Sequence, residues 1–293
     1  MRALLGLIAA LAAAGPSWAA RPENGAFGFQ DAATPIMRQT TGFHDVLLVI
    51  ITVIALFVLA LMIIAMVRYN ARAHPEPSKF SHNTLVEVLW TAVPIMILLV
   101  IAVPSFQLLY NQDVIPDGVR AYTREAGVVP APEVTIKATG WQWHWSYAYP
   151  DDGDFEFISD LLPEDVAAPE DYLLAADAPM VAPANTTVQL IVTGADVIHN
   201  WAMPSFGIKM DAIPGRLNET WFRVDEPGTY FGQCSELCGI DHAYMPIQVE
   251  IVPRATFDSW AQAMADGDND GAAQLLAEYK QQRDADTRLA ELH

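Results

Sequence analysis

The chain has 293 residues, of which 52% are apolar and 17% charged, and its formal net charge is −19. That length allows one large or two modest domains. The acidity is local: residues 110–293 carry 30 Asp/Glu against 10 Lys/Arg, whereas residues 1–109 carry 5 against 6. Such a field repels nucleic acid and speeds encounter with basic partners, although it also serves plain solubility.

The chain opens like a secretory leader over residues 1–19. Arg2 is the charged start, residues 3–14 form a short apolar core, and Ser17-Trp18-Ala19 is a small-x-small cleavage motif before Ala20. That core is too short to span a bilayer. Export places most of the chain outside the cytoplasm, where thiols oxidise. Residues 20–44 are mixed and contain Gly and Pro, and read as an irregular segment with a short helix before the membrane.

Residues 46–67 are 22 residues without charge or proline, bracketed by Asp45 and Arg68. As a helix they cover about 33 Å, enough for the hydrocarbon core. A transmembrane helix is therefore expected over 45–68. The loop 69–84 follows, with Arg72 and Lys79 (and Arg68 just before it) against Glu76. A short basic loop marks the cytoplasmic side. A second apolar run gives a transmembrane helix over 85–110, with Pro94 and Pro104 inside it and Trp90 and Tyr110 near its ends. The result is a hairpin with both chain termini outside. Thr84-Leu85-Val86-Glu87 has the form of a capping box at the start of that helix.

Beyond Asp113 the texture changes. β-prone runs at 133–138, 187–192, 219–224, 228–233 and 246–252 lie between Pro, Gly and Asp turns. The pattern predicts an antiparallel β-sandwich or barrel over 111–254. Residues 150–185 are acidic and Pro/Ala-rich and read as an excursion with little regular structure. The tail 255–293 has apolar positions at helical spacing (Trp260, Met264, Leu275, Leu276, Tyr279), which predicts one or two helices broken near 267–271.

Both cysteines of the chain sit in Gly232-Gln233-Cys234-Ser235-Glu236-Leu237-Cys238-Gly239-Ile240-Asp241-His242-Ala243-Tyr244-Met245. His199 ends an apolar run upstream. Thiolate, imidazole and thioether are soft donors of the kind copper selects. A Cys-x-x-x-Cys disulfide and a Cys₂His₂ zinc site are the alternatives. One blue copper needs a single cysteine. Two thiolates can instead bridge two coppers, each taking one histidine, with Met245 and the Glu236 carbonyl in weak axial positions. That set implies electron transfer.

His199-Asn200-Trp201, then Asp211-Ala212-Ile213-Pro214-Gly215-Arg216, then the cysteine loop and His242 to Pro246, resemble subunit two of haem–copper cytochrome c oxidases. Gln142-Trp143-His144-Trp145-Ser146-Tyr147 is similar to that family's aromatic segment. The resemblance covers roughly residues 40–252, and the leader is similar to those of bacterial members. It implies a membrane-anchored all-β protein, in which a two-helix transmembrane hairpin precedes a cupredoxin-like Greek-key β-barrel in the periplasm of a bacterial inner membrane.

By the same resemblance two copper ions (a dinuclear CuA centre) are held by His199, Cys234, the Glu236 carbonyl, Cys238, His242 and Met245. The donor is cytochrome c, a basic protein, and Trp143 is where its electron arrives. The electron then passes to haem in subunit one, which carries haem and copper and reduces oxygen to water with proton pumping; this chain shows no haem ligands. The Glu236 side chain would reach a Mg or Mn ion shared with subunit one, and Glu87 resembles the carboxylate at the mouth of a proton-uptake path. Other oxidase subunits are implied as neighbours. Asp151, Asp152, Asp154 and Asp196 are candidate docking carboxylates, chosen for closeness in sequence to Trp143 or His199. A membrane-anchored copper chaperone is the rival reading, but it calls for one anchor and a distant single histidine. A reductase with the same centre, such as nitrous oxide reductase, calls for a large catalytic domain.

Overall fold

A computed structural model describes residues 19–23, 25–76, 79–119, 122–123 and 127–291. The expected leader therefore lies, apart from Ala19, outside the described residues. The chain divides into two units, Gln39–Asn111 and Met1–Arg38 with Gln112–His293.

The first unit is a helical hairpin. Helix α1 spans Pro35–Arg68 and α2 spans Thr84–Asp113, and both are long and apolar enough to cross a membrane. Pro94 and Pro104 sit inside α2 without ending it. The helix α1 begins well before the apolar run: the short helix expected within 20–44 is its first turns and is continuous with the apolar span. Thr34 explains the early start: its hydroxyl accepts the Met37 N–H at 3.0 Å and so caps the first turn. At the other end the Asn70 side chain donates to the Val67 carbonyl at 2.8 Å and closes α1. The Asn83 side-chain oxygen accepts the N–H groups of Leu85 (3.0 Å) and Val86 (3.2 Å), and the Glu87 N–H reaches the Asn83 carbonyl (3.0 Å). Asn83 is thus the N-cap of α2, and the capping box read at Thr84–Glu87 is one residue out of register.

The second unit has, among the described residues, thirteen short strands: β1 (Ala19–Ala20), β2 (Tyr122–Thr123), β3 (Gly127–Val128), β4 (Val134–Trp141), β5 (His144–Tyr149), β6 (Phe155–Ser159), β7 (Met180–Pro183), β8 (Val188–Gly194), β9 (His199–Met203), β10 (Ile208–Ala212), β11 (Asn218–Phe222), β12 (Gly228–Cys234) and β13 (Pro246–Val252). One sheet has the order β10-β9-β12-β13-β7 with β1 beside β12; the other has the order β11-β8-β4-β5-β6. Together they form the two walls of a cupredoxin-like barrel. Strand β4 runs parallel to β8, β7 parallel to β13 and β1 parallel to β12, so the fully antiparallel sheet expected from the strand pattern is corrected to a mixed one. Region 150–185, expected to be irregular, contributes β6 and β7.

Between the sheets lie Trp145, Tyr147, Tyr149, Trp201, Leu190 and Val249, all fully buried. The Tyr149 hydroxyl ties the two sheets together: it donates to the Val181 carbonyl at 2.8 Å and accepts the Val181 N–H at 3.0 Å. The tail forms α3 (Arg254–Ala265) and α4 (Asn269–Glu291), broken near the expected position. Trp260 of α3 meets the rings of Tyr149 (5.2 Å), Phe155 (5.6 Å) and Phe157 (6.1 Å) nearly edge-on. Each such aromatic pair adds about 0.5–1.5 kcal/mol beyond burial. Helix α4 is held by charge. Glu250 of β13 is fully buried and accepts from Lys280 Nζ at 2.6 Å, with Arg283 Nη1 at 3.7 Å.

Candidate metal centre

Two adjacent strand ends deliver the donors. Strand β9 pairs with the end of β12, setting Trp201 opposite Cys234, and this places His199 beside the cysteine loop. The loop from Cys234 to Met245 leaves β12, makes a single 3-10 turn at His242–Tyr244 and returns into β13. One ring nitrogen of His199 and both sulfurs lie within 4.8 Å of one another, and all three residues are buried.

The cysteines are free, with sulfurs 3.9 Å apart, about twice the length of a disulfide bond. Cys238 Sγ is 3.5 Å from His242 Nδ1 and 3.5 Å from Met245 Sδ. Cys234 Sγ lies 3.4 Å from the Glu236 carbonyl oxygen. The structure therefore brings together every residue expected to hold the metal: two thiols at the centre, a histidine for each side, a thioether and a carbonyl at the margins. His199 supplies the test of fit. Its Nε2 is 2.8 Å from Asp196 Oδ1, whereas its Nδ1 is buried and has no hydrogen-bond partner. A buried nitrogen left open toward two sulfurs matches a metal ligand oriented by a carboxylate behind it. The soft donor set suits copper, and six candidate donors, the two thiols included, exceed what one tetrahedral zinc takes.

The surroundings polarise the thiols in opposite directions. Burial alone would raise Cys234, but the nearby His199 ring and the Glu236 and Asn200 backbone outweigh it and bring the thiol below its ordinary value. Cys238 is pushed up to about 12 by burial and then by the charge of Cys234. Burial lowers the His199 imidazolium, but Cys234 and Asp196 more than reverse this. Asp196, raised by burial, is brought below the usual carboxylate range by His199 and by the Val197 and Gln142 N–H groups.

Trp143 stands at the rim. With Gln142 it forms the turn between β4 and β5, so the tryptophans at 141, 143 and 145 do not alternate along one strand. Gln142 reaches both halves of the site: its N–H donates to Asp196 at 2.7 Å and its side-chain amide to the Cys238 carbonyl at 2.8 Å. Trp143 is half-buried and lines an open 380 Å³ pocket with Asp160, Leu161, Asp241 and Tyr244. Gly140 is required by close approach, since a Cβ there would lie 2.9 Å from the His199 ring.

The expected carboxylates are dispersed. Asp196 serves His199. Asp151, Asp152 and Asp154 lie past the other end of β5, about 20 Å along the strand from Trp143. There burial raises Asp152, partly opposed by Arg254. Asp160 and Asp241, beside Trp143, carried no signal in the sequence, because only the hairpin and the loop bring them together. The Glu236 side chain is exposed, and Glu87 sits in the first turn of α2.

Residues 134–252 match the family model "Cytochrome C oxidase subunit II, periplasmic domain", and residues 22–108 match "Cytochrome C oxidase subunit II, transmembrane domain". The chain is 44% identical over 257 residues to a probable cytochrome c oxidase subunit 2 of Rickettsia bellii, covering 86% of this chain and 90% of that one. It is 40% identical over 284 residues to the cytochrome c oxidase subunit 2 of Cereibacter sphaeroides, covering 89% of each. Among solved structures, the periplasmic domain of subunit II of cytochrome oxidase of Bradyrhizobium japonicum is 56% identical, with a TM-score of 0.43, covering 46% of this chain and 95% of that one. With a two-helix membrane anchor, a cupredoxin-like domain and a buried His/Cys/Cys cluster that suits copper, the chain belongs to the cytochrome c oxidase subunit II family.

Proposed function

We propose that this chain is the electron-accepting subunit of a respiratory oxidase and takes electrons from cytochrome c at Trp143. His199, Cys234, Cys238, His242, Met245 and the Glu236 carbonyl hold two copper ions, which when bound supply reversible one-electron chemistry with little rearrangement. The observation that carries this reading is the pair of unlinked thiols 3.9 Å apart, with His242 and Met245 each 3.5 Å from Cys238. A membrane-anchored copper chaperone is not favoured: the domain is a two-sheet barrel on a two-helix anchor.

The protein's own groups have definite tasks. Asp196 fixes the His199 ring with Nδ1 inward. The Gln142–Trp143 turn keeps the indole against the ligand loop. Asp160 and Asp241 flank the indole pocket and present negative charge to a basic donor, which raises its on-rate more than its affinity. Asp151, Asp152 and Asp154 widen that field from the far end of β5, and Asp196 adds to it while holding His199. The electron leaves toward haem in subunit one.

The exposed Glu236 carboxylate supplies a hard ligand for a Mg or Mn ion shared with that subunit, and Glu87 serves the entrance of a proton-uptake path. The basic loop around Arg72 and Lys79 faces the cytoplasm, and the copper domain faces the periplasm of a bacterial inner membrane. Copper counting with electron paramagnetic resonance on the purified protein tests the centre. Two coppers sharing one unpaired electron are expected, and one copper per chain would overturn the reading. Electron input should slow as salt rises; a salt-independent rate would reject the acidic docking face.

A further inference from the structure

The two halves of the metal site differ in how they can be reached. The inner half is Cys234 with His199. His199 is fully buried. The Trp145 ring stands edge-on to it, with centres 6.1 Å apart. Gly140 lies against its ring, and Asp196 occupies Nε2 at 2.8 Å. Its free nitrogen, Nδ1, is closed off from solvent. The outer half is Cys238, with His242 Nδ1 and Met245 Sδ each 3.5 Å from its sulfur. Cys234, Cys238 and Met245 are buried as well, so His242 is the one donor side chain in reach of solvent. It opens the 3-10 turn that ends at Tyr244, directly after Asp241. Asp241 and Tyr244 line the open 380 Å³ pocket beside Trp143, where Asp160 adds a second carboxylate.

We infer that this pocket is also the entrance for copper, and that Cys238, His242 and Met245 form the receiving site. The inference rests on the two-copper reading given above. Carboxylates lining a cleft raise the local concentration of cations, and thiolate, thioether and imidazole together suit Cu(I). On capture Cys238 exchanges its S–H bond for a bond to the ion; the proton leaves to solvent, and no electron moves. Cys234 Sγ, 3.9 Å from Cys238 Sγ, then draws the ion on toward His199. That frees the outer three donors for a second ion. The inner half is filled through the outer one and not directly from solvent.

The test uses the full-length chain in detergent, metal-free and with its thiols reduced, mixed anaerobically with acetonitrile-stabilised Cu(I). Thiolate-to-copper absorbance follows the uptake in stopped flow. The wild type should take two equivalents; stopping at one would reject the two-copper reading itself. A direct ligand should count for no less than an outer-shell partner, whose loss costs about tenfold or more. Met245→Leu and His242→Ala should therefore each slow the first uptake at least about tenfold, and either serves alone if the other fails to fold. Asp241→Asn should slow it at low salt. His199→Ala should keep the first equivalent at the wild-type rate and lose the second. A first uptake at the wild-type rate in any of the three outer variants, or one slowed as much by His199→Ala as by Met245→Leu and His242→Ala, would overturn the inference.

Discussion

The indole of Trp143 occupies the space a side chain on Gly239 would need: a Cβ built there would lie 2.8 Å from Trp143 Cζ2. Gly239 also has a φ of +135°, which L side chains rarely adopt. The aromatic ring therefore rests on the backbone that directly follows the ligand Cys238.

Under the proposed function this contact sets the point of electron input directly against the metal-site loop. Trp143→Phe should slow electron transfer from reduced cytochrome c by more than about tenfold, equivalent to about 1.4 kcal/mol of barrier. Donor affinity and the copper spectrum should hold. Stopped-flow reduction kinetics decide it, and an unchanged rate would reject the role.

Asp196 is the orienting partner of His199, at 2.8 Å from Nε2. Asp196→Asn removes the charge that fixes the ring, and metal affinity should fall roughly 10–100-fold. Competition against a calibrated chelator measures this. Affinity equal to wild type would mean that His199 is not held as a ligand in this way.

Removing the metal exposes the titration of the two thiols, which behave as one coupled pair. Cys234 lies below the ordinary thiol value and Cys238 is pushed up to about 12. The depressed group contributes stability present above its unfolded value, about 8.5, and lost as pH falls through the folded value. The raised group contributes stability present below that unfolded value and lost as pH climbs toward about 12. Thiolate absorbance of the metal-free protein should therefore rise in two steps, and its stability should decline over the upper one. Cys238→Ser should remove the upper step. A single step of double amplitude near 8.5 would contradict the geometry.

Glu250 is fully buried, and its charged partners Lys280 and Arg283 both come from α4. Replacing both with alanine leaves a buried carboxylate without a counter-charge. The expected loss is roughly 3 kcal/mol, at the low end for a broken buried pair because Lys280 is partly solvated. Denaturant unfolding of the metal-loaded protein measures it. Adding Glu250→Gln to the double variant should recover much of the loss; no recovery would show that α4 is held by its apolar contacts instead.

Local chemistry was legible in the sequence, and long-range pairing was not. The apolar run at 46–67 needed only length and hydropathy, and β13 fell on the expected 246–252 because Ile247, Val249 and Ile251 recur at the period of a strand. The ligand loop was legible because its donors lie within twelve residues. The aromatic run at 142–147 resembled a family segment without showing its shape: Gln142 and Trp143 turn the chain back between β4 and β5, and residue pattern alone does not separate a strand from a two-residue hairpin. Strand β7 hid in acidic, Pro- and Ala-rich composition because its order comes from β13, far along the chain. Asp196 looked like a surface charge for docking, since nothing local shows the ring it holds. The helix caps were missed for a smaller reason: Asn70 and Asn83 act through side-chain hydrogen bonds that neighbouring residues mimic equally well on paper.

The turn at Gln142 bears on attempts to move this centre into another β-barrel. Five of the six donors travel on one continuous loop, which invites transplantation as a cassette. Yet the amide of Gln142 clasps that loop at Cys238, while its N–H clasps the carboxylate behind the sixth donor. A graft of the loop with His199 alone would carry the ligands and leave behind the buckle that keeps the two pieces in step. The portable module is the loop, the Asp196–His199 corner and the hairpin together.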